Sequence, residues 1–435
     1  MSSPFSRSIE QCEAAIRERN DSVRAILNVL PEPTKAQNAA KNSPISGIGY
    51  SLKDTWDTAG IKTTGGSWRH RARVPSVSSK IFTTLQDAGG VLVGKSNLCD
   101  MAFSLESDNH MFGPVRNPWD PARTSGGSTG GGAAAIASGM SNFDWGSDFG
   151  GSIRMPAAFC GVAGIRLSNT TWPIPDFFPV APHLEIDMHG MGPLAKNVAG
   201  LRAVLDAVRA DLRTGADLPK FKGDRVAVVV PDGATVGKWP AFESDALAAL
   251  RKIGATLSKN TKMPSANEAD LAYDGYLCSH FEAFLKTGEI STRDGIEAVI
   301  LALASWGKID RRIHPNTALL LGMMAAGRGT IYRDAKSATA KVRDMQNTCN
   351  EIWASGALLV APTTTFPAPH HGRAPFVRRL VAFAKLGNLI DATSVAVPFG
   401  KFSNGLPRSI QVLGPAGSED AVLDLGEKLE TIART

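Results

Sequence analysis

GGSTGGGAAAIASGMSNFDWGSDFGGSIRMPAAFCGVAG, residues 126–164, is the stretch on which the reading of this chain turns. Glycine, serine and alanine dominate it, and the few large side chains are Phe143, Trp145, Phe149 and Phe159. Such a texture lets backbone approach backbone closely. Near its middle, Gly150-Gly151 precede Ser152. Paired glycines there let consecutive backbone N–H groups converge on one point, forming a nest for negative charge. Taken alone, the same residues also read as an ordinary tight turn.

Working outward, Ile48, Tyr50 and Leu52 alternate with Gly49, Ser51 and Lys53, the period of a strand that carries Lys53 on the face opposite the apolar trio. Lys80 to Ala88 predicts a short helix ended by Gly89-Gly90, and Val91-Leu92-Val93 a buried strand. Residues Ser8 to about Leu30 read as an amphipathic helix, followed by a turn at Pro31 and Pro33 and a polar stretch to Pro44. Downstream, helical patterns at Asn197 to Leu212, at Pro315 to about Ala354 and from about Ser418 alternate with strands. Those strands are read at Val226 to Val230, Leu358 to Ala361, Val395 to Phe399 and Ser409 to Leu413. This alternation predicts a layered α/β sandwich. With no repeat or low-complexity linker, a single domain spanning 1–435 is expected.

Composition bounds the function. The 435 residues are 43% hydrophobic and 20% charged, a globular balance. Charged residues at Arg7, Glu10, Glu13, Arg17, Glu18 and Arg19 are incompatible with a signal peptide. No run of about 18 apolar residues predicts a membrane span, so a cytoplasmic protein is expected. Cys12, Cys99, Cys160, Cys278 and Cys349 are scattered and odd in number, which suggests free thiols and no metal site. The net charge of +6 comes from 47 basic residues interspersed with 41 acidic ones, so no nucleic-acid partner is expected.

Three glycine motifs mislead when read alone. Gly89 to Ser96 satisfies the P-loop pattern, but its wildcard positions hold an apolar strand where a phosphate cradle needs a turn. Gly130-Gly131-Gly132-Ala133-Ala134-Ala135 fits a loose dinucleotide fingerprint. Gly126-Gly127-Ser128-Thr129-Gly130 fits the nucleophile elbow of a Ser-His-Asp hydrolase, with His280, His314, His370 or His371 as candidate bases. Both of these need a strand entering the turn, and Asn117-Pro118-Trp119-Asp120-Pro121 argues against one. No cofactor is expected.

Taken together, the segments carry a resemblance. It runs from Ser51-Leu52-Lys53-Asp54 through Ala59-Gly60, Thr63 to Ser67, Gly94 to Asn97 and Phe112 to Asp120. It continues through Gly126 to Gly131, Asp148 to Pro156 and Phe159 to Val162, with fainter echoes at Gly190 to Ala195 and Gly405 to Pro407. In this order and spacing the chain resembles the amidase signature family of Ser, cis-Ser, Lys hydrolases. The resemblance implies a central mixed, mostly parallel sheet covered by helices, with a signature core at about 45–200. It also implies that a variable, mostly helical segment at about 235–355, with Trp68 to Arg73 and Pro173 to His183, shapes the substrate pocket.

Carried over, the resemblance makes Ser152 the nucleophile, Ser128 the relay behind a cis peptide bond, and Lys53 the base. The backbone N–H groups of Phe149, Gly150, Gly151 and Ser152 become the oxyanion hole, with Thr129, Asp148 and Arg154 in support. Asp148 and Arg154 read more readily as a structural ion pair than as substrate contacts. A lysine near its ordinary pKa of about 10.4 is almost wholly protonated at neutral pH, so Lys53 must be desolvated to act as a base. Its bland alternative is a strand-end lysine paired with Asp54. Departures from the family pattern are Gly49 for a common proline, Thr129 for a serine, Asp144 within the strand, and Gly164 to Ser168 for a G-L-K-P-T run. The expected activity is hydrolysis of a small-molecule carboxamide or N-acyl amine. An alternative is the subunit of a glutamine-dependent amidotransferase that releases ammonia for a partner enzyme, and another is a catalytically silent binding relative. A homodimer is entertained for the assembly without a sequence pattern behind it.

Overall fold

The computed structural model describes residues 3–34, 42–174, 176–179, 184–213, 221, 225–228, 241–257, 263–285, 313–327, 329–377 and 379–434. The first helix, Ile9–Val23, starts at a capping box between Ser8 and Gln11 and buries Cys12, Ala15 and Ile16. It stops well short of the expected Leu30, because Arg24 turns left-handed (φ 60°) and the Asn20 side chain bonds both the N–H and the C=O of Ile26. That clamp starts β1, Ile26–Thr34, where the helix end and a proline turn were expected. Pro31 and Pro33 are tolerated there because β1 is an edge strand, with one side of its backbone unpaired.

The remaining strands are β2 (Gly49–Lys53), β3 (Val91–Ser96), β4 (Arg116–Asn117), β5 (Asp120–Thr124), β6 (Phe143–Asp148), β7 (Ala163–Arg166) and β8 (Gly190–Ala195). After them come β9 (Arg225–Val228), β10 (Thr256–Leu257), β11 (Ala357–Pro362), β12 (Thr393–Lys401) and β13 (Pro407–Gly414). Eleven form one mixed sheet in the order β1-β3-β2-β6-β8-β7-β12-β13-β11-β9-β10. The expected parallel pairing holds in β3-β2-β6 and in β11-β9-β10, while the other neighbours run antiparallel.

The sheet is covered on both faces, which explains why β2, β3 and β6 are buried at every position. On one face Tyr50, Leu52, Trp145, Val395 and Val412 pack with the helices Lys80–Asp87, Val198–Leu212 and Glu419–Arg434. On the other, Val93, Leu194 and Ala396 meet the helices Ile9–Val23, Gly130–Ala137 and Arg154–Cys160. The small residues of Gly130–Ala137 allow the close approach read from composition, since a Cβ at Gly131 would run into the backbone of Asn97. Of the variable segment, residues 286–312 lie outside the described ones. Its helices Ala266–Ser279 and Ala335–Ala354 pack with Leu359, Ala361 and Leu413 on the faces of β11 and β13 opposite Leu358, Val360 and Val412.

One expectation is corrected around residue 120. Pro118 and Trp119 make a tight turn in which Asn117 Oδ1 accepts the Trp119 N–H at 2.9 Å, and β4 and β5 pair across it. A short strand therefore does approach the Gly126 turn. It belongs to an outlying two-stranded ribbon, whose outer side is met by Pro369, His370 and His371, and not to the central sheet.

Candidate active site

Because β3, β2 and β6 are parallel neighbours, their carboxyl ends lie side by side, with Leu52 paired to both Lys95 and Trp145. Lys53 closes β2, Lys95-Ser96 close β3, and Ser147-Asp148 close β6. This puts two buried lysines at one sheet edge, and their partners separate them. Lys95 Nζ lies 3.4 Å from Asp54 Oδ1 and donates to Trp56 O at 2.6 Å and Thr63 Oγ1 at 2.9 Å. Asp54 is further held by the N–H and hydroxyl of Thr64, at 2.8 and 2.7 Å. The carboxylate that stood as the bland partner of Lys53 is thus taken by Lys95, the lysine of the false P-loop.

Lys53 is fully buried. Its Nζ lies 2.6 Å from Ser128 Oγ, 2.9 Å from Ser147 Oγ and 3.3 Å from Ser147 O. Burial pushes its pKa down from 10.5 to about 8, against a smaller opposing pull from Cys99, Asp144 and Asp148. The desolvation that a basic lysine requires is present. Asp144, the atypical strand residue, accepts a bond from Ser51 Oγ at 2.7 Å, and burial raises its carboxyl to about 6 despite that bond and the charges of Lys53 and Lys95.

Ser128 follows a cis peptide bond from Gly127 and is buried. A Cβ at Gly127 would lie 2.7 Å from Ser104 O, so only glycine fits beside Ser128. Ser107 Oγ donates to Ser128 O at 3.2 Å and accepts the Gly130 N–H at 2.9 Å, bridging both sides of the loop. The Thr129 N–H donates to Ser152 O at 3.1 Å, so the two serine-bearing turns are stitched by one backbone bond. The extra methyl of Thr129 lies over Gly146, where a Cβ would sit 2.8 Å from it.

The turn carrying Ser152 joins β6 to the helix Arg154–Cys160. Gly151 sits there at φ 106°, a conformation that excludes other residues. Asp148 organises the turn from below. Its Oδ1 accepts the Gly151 N–H at 2.8 Å, its Oδ2 the Ile153 N–H at 3.0 Å, and both oxygens face Arg154, at 2.9 and 3.1 Å. Burial alone would raise the Asp148 pKa, but the Arg154 guanidinium overcomes it and holds the carboxyl well below the usual range. Arg154 also reaches Ala384 O, Asn388 Oδ1 and Gln411 Oε1. The Gly151 N–H is therefore satisfied inside the turn, which departs from the four oxyanion donors expected. Among the described residues no acceptor faces the Gly150 or Ser152 N–H.

Ser147 and Ser107 were not singled out from the sequence. Nothing local marks either one; Ser147 meets Lys53 only through the register of β2 against β6. The candidate histidines are held elsewhere: His280 on Tyr276 O, His314 beside Asp108 and His110, and both His370 (ring) and His371 (backbone N–H) on Ala122 O. Trp172 is core, its Nε1 bonded to Glu419. Phe178 is covered by the Arg73 guanidinium at 3.7 Å, and Phe149 packs against His189 at 4.4 Å. Residues 175 and 180–183 of the expected pocket segment lie outside the described ones. Among the described residues no group of His, Cys, Asp or Glu could hold a metal ion, and no helix is long and apolar enough to cross a membrane.

A family model described as Amidase matches residues 5–423. The chain is 28% identical to a Glutamyl-tRNA(Gln) amidotransferase subunit from Synechococcus sp. (strain RCC307), over 98% of this chain and 93% of that one. It is 30% identical to the like-named subunit from Natronomonas pharaonis, over 89% and 96%. Among solved structures, 6-aminohexanoate cyclic dimer hydrolase complexed with substrate superposes with a TM-score of 0.76 at 22% identity, over 98% of this chain and 93% of that one. A bacterial aryl acylamidase superposes with 0.73 at 19%, over 98% and 92%. These structural likenesses establish a shared fold.

Proposed function

The chain belongs to the amidase family, and from that premise we propose that it cleaves a carboxamide or N-acyl amine through an acyl-enzyme on Ser152, with Ser128 and Lys53 relaying the proton. The observation that carries this reading is the 2.6 Å approach of a fully buried lysine amine to the hydroxyl of a cis-serine. A neutral Lys53 amine has two N–H groups and one lone pair. Ser147 offers two acceptors, its Oγ and its O, which leaves the lone pair for the Ser128 proton. Ser128 in turn takes the proton of Ser152 as that hydroxyl attacks the substrate carbonyl. The oxyanion that forms is met by the Gly150 and Ser152 N–H groups. Reversal of the relay protonates the departing amine, and water then hydrolyses the ester on Ser152.

A second reading has an observation of its own. Relatives matched along nearly their whole length are named as subunits of an amidotransferase, which favours glutamine as the amide and a partner enzyme as the consumer of ammonia. Both readings use the same site. A panel of amides of graded acyl length, with glutamine included, separates them when amine or ammonia release is followed with and without candidate partner subunits. Ser152→Ala should abolish release from every substrate in the panel. If purified Ser152→Ala retains more than a few per cent of wild-type turnover, the acyl-enzyme assignment is wrong.

A further inference from the structure

The peptide joining Phe149 to Gly150 is gripped from outside the signature region. Tyr273, on the helix Ala266–Ser279, donates its hydroxyl to Phe149 O at 3.1 Å. A Cβ at Gly150 would collide with that same hydroxyl, so only glycine lets the tyrosine come this close to the turn. In a trans peptide the C=O and the following N–H point in opposite directions within one plane. Fixing the carbonyl of Phe149 therefore fixes the direction of the Gly150 N–H. The preceding peptide is held similarly, by Asn388 Nδ2 on Asp148 O at 3.1 Å.

We propose that Tyr273 is a positioning residue for the oxyanion site: its bond to Phe149 O aims the Gly150 N–H at the substrate carbonyl oxygen. The inference rests on the acyl-enzyme reading above. Tyr273 is well placed for a fixed role. Its ring packs edge-on to Phe149 at 6.2 Å, and Lys385 Nζ lies 5.1 Å from its centre. Lys385 is itself pinned by Asp270 and Asp274 of the same helix, each at 2.7 Å. Burial raises the Tyr273 hydroxyl well above its ordinary pKa, so it remains a donor throughout the working range. The helix supplying this contact lies in the segment assigned to substrate choice, which couples that segment to the chemistry.

The test is Tyr273→Phe, which keeps the ring and removes one oxygen. Wild type and variant are titrated with a serine-directed fluorophosphonate, labelled Ser152 is counted, and turnover is expressed per labelled site so that any misfolded fraction drops out. Outright loss of an oxyanion donor costs on the order of 100-fold or more in kcat. Mis-aiming one should cost roughly tenfold or more in kcat, with KM changed by less than about twofold. The variant should also label more slowly while still reaching wild-type stoichiometry. A kcat within about twofold of wild type overturns the proposal, as does a raised KM at unchanged kcat, which would make Tyr273 a substrate contact. Wild-type enzyme that takes no label on Ser152 overturns the acyl-enzyme reading and this inference with it.

Discussion

At the residue scale, the proposed chemistry depends on one amine being neutral. Burial lowers Lys53 to about 8, and the base acts only when deprotonated, so activity should climb with pH and level off above that value. Below the midpoint, kcat/KM should rise about tenfold per pH unit, since the neutral fraction does so. A histidine base would reach its plateau nearer neutrality. A profile flat from pH 6.5 upward would therefore count against Lys53. Lys53→Arg should be inactive at every pH tested, because a guanidinium keeps its proton. Turnover by that variant would require another base. The two lysines at this sheet edge also show how little residue type decides alone: Lys95 is as buried as Lys53, yet the neighbouring Asp54 carboxylate gives it an ion-pair partner that Lys53 lacks among the described residues.

At the scale of the element, the turn from β6 into the helix Arg154–Cys160 is built around one buried ion pair. Asp148 spends its oxygens on the Gly151 and Ile153 N–H groups and on Arg154, so the pair shapes the turn. Arg154→Met would leave the Asp148 charge buried without its paired guanidinium. Removing one partner of such a pair costs about 3–5 kcal/mol. Urea unfolding should show a loss of that size, and activity should fall with it because the Gly151 turn loosens. A variant within about 1 kcal/mol of wild type would mean that Asp148 is neutralised or rescued in some other way. Arg154→Lys should be nearly as damaging, since an ammonium cannot serve Asp148, Ala384 O, Asn388 and Gln411 at once.

At the scale of the whole molecule, a single sheet edge gathers groups separated by about a hundred residues of chain, and every part of the proposed relay is an ordinary side chain. Exhaustive dialysis against EDTA should therefore leave kcat unchanged; activity lost on chelation and restored by zinc would contradict the relay. The strand period of residues 48–53, the glycine and alanine texture of 126–164 and the ordered motifs were enough to indicate a layered α/β chain and to single out Lys53, Ser128 and Ser152. Local signals mark local things, such as alternation, capping and positions where a side chain cannot fit. The helix carried on to Leu30 and the strand argued against at Asn117–Pro121 were misread because their outcomes hang on partners far along the chain, Ser96 and Gly94 for β1 and Pro369 and His370 for β5. The same reason hid Ser147, whose place beside Lys53 comes from strand register, and Tyr273, whose helix is more than a hundred residues from the turn it grips. Which lysine Asp54 would choose, which N–H groups the Asp148 carboxylate would consume, and that Lys53 would be stripped of water were decided only by tertiary packing. Burial and hydrogen-bond partnership are properties of the assembled neighbourhood, and no residue carries them alone.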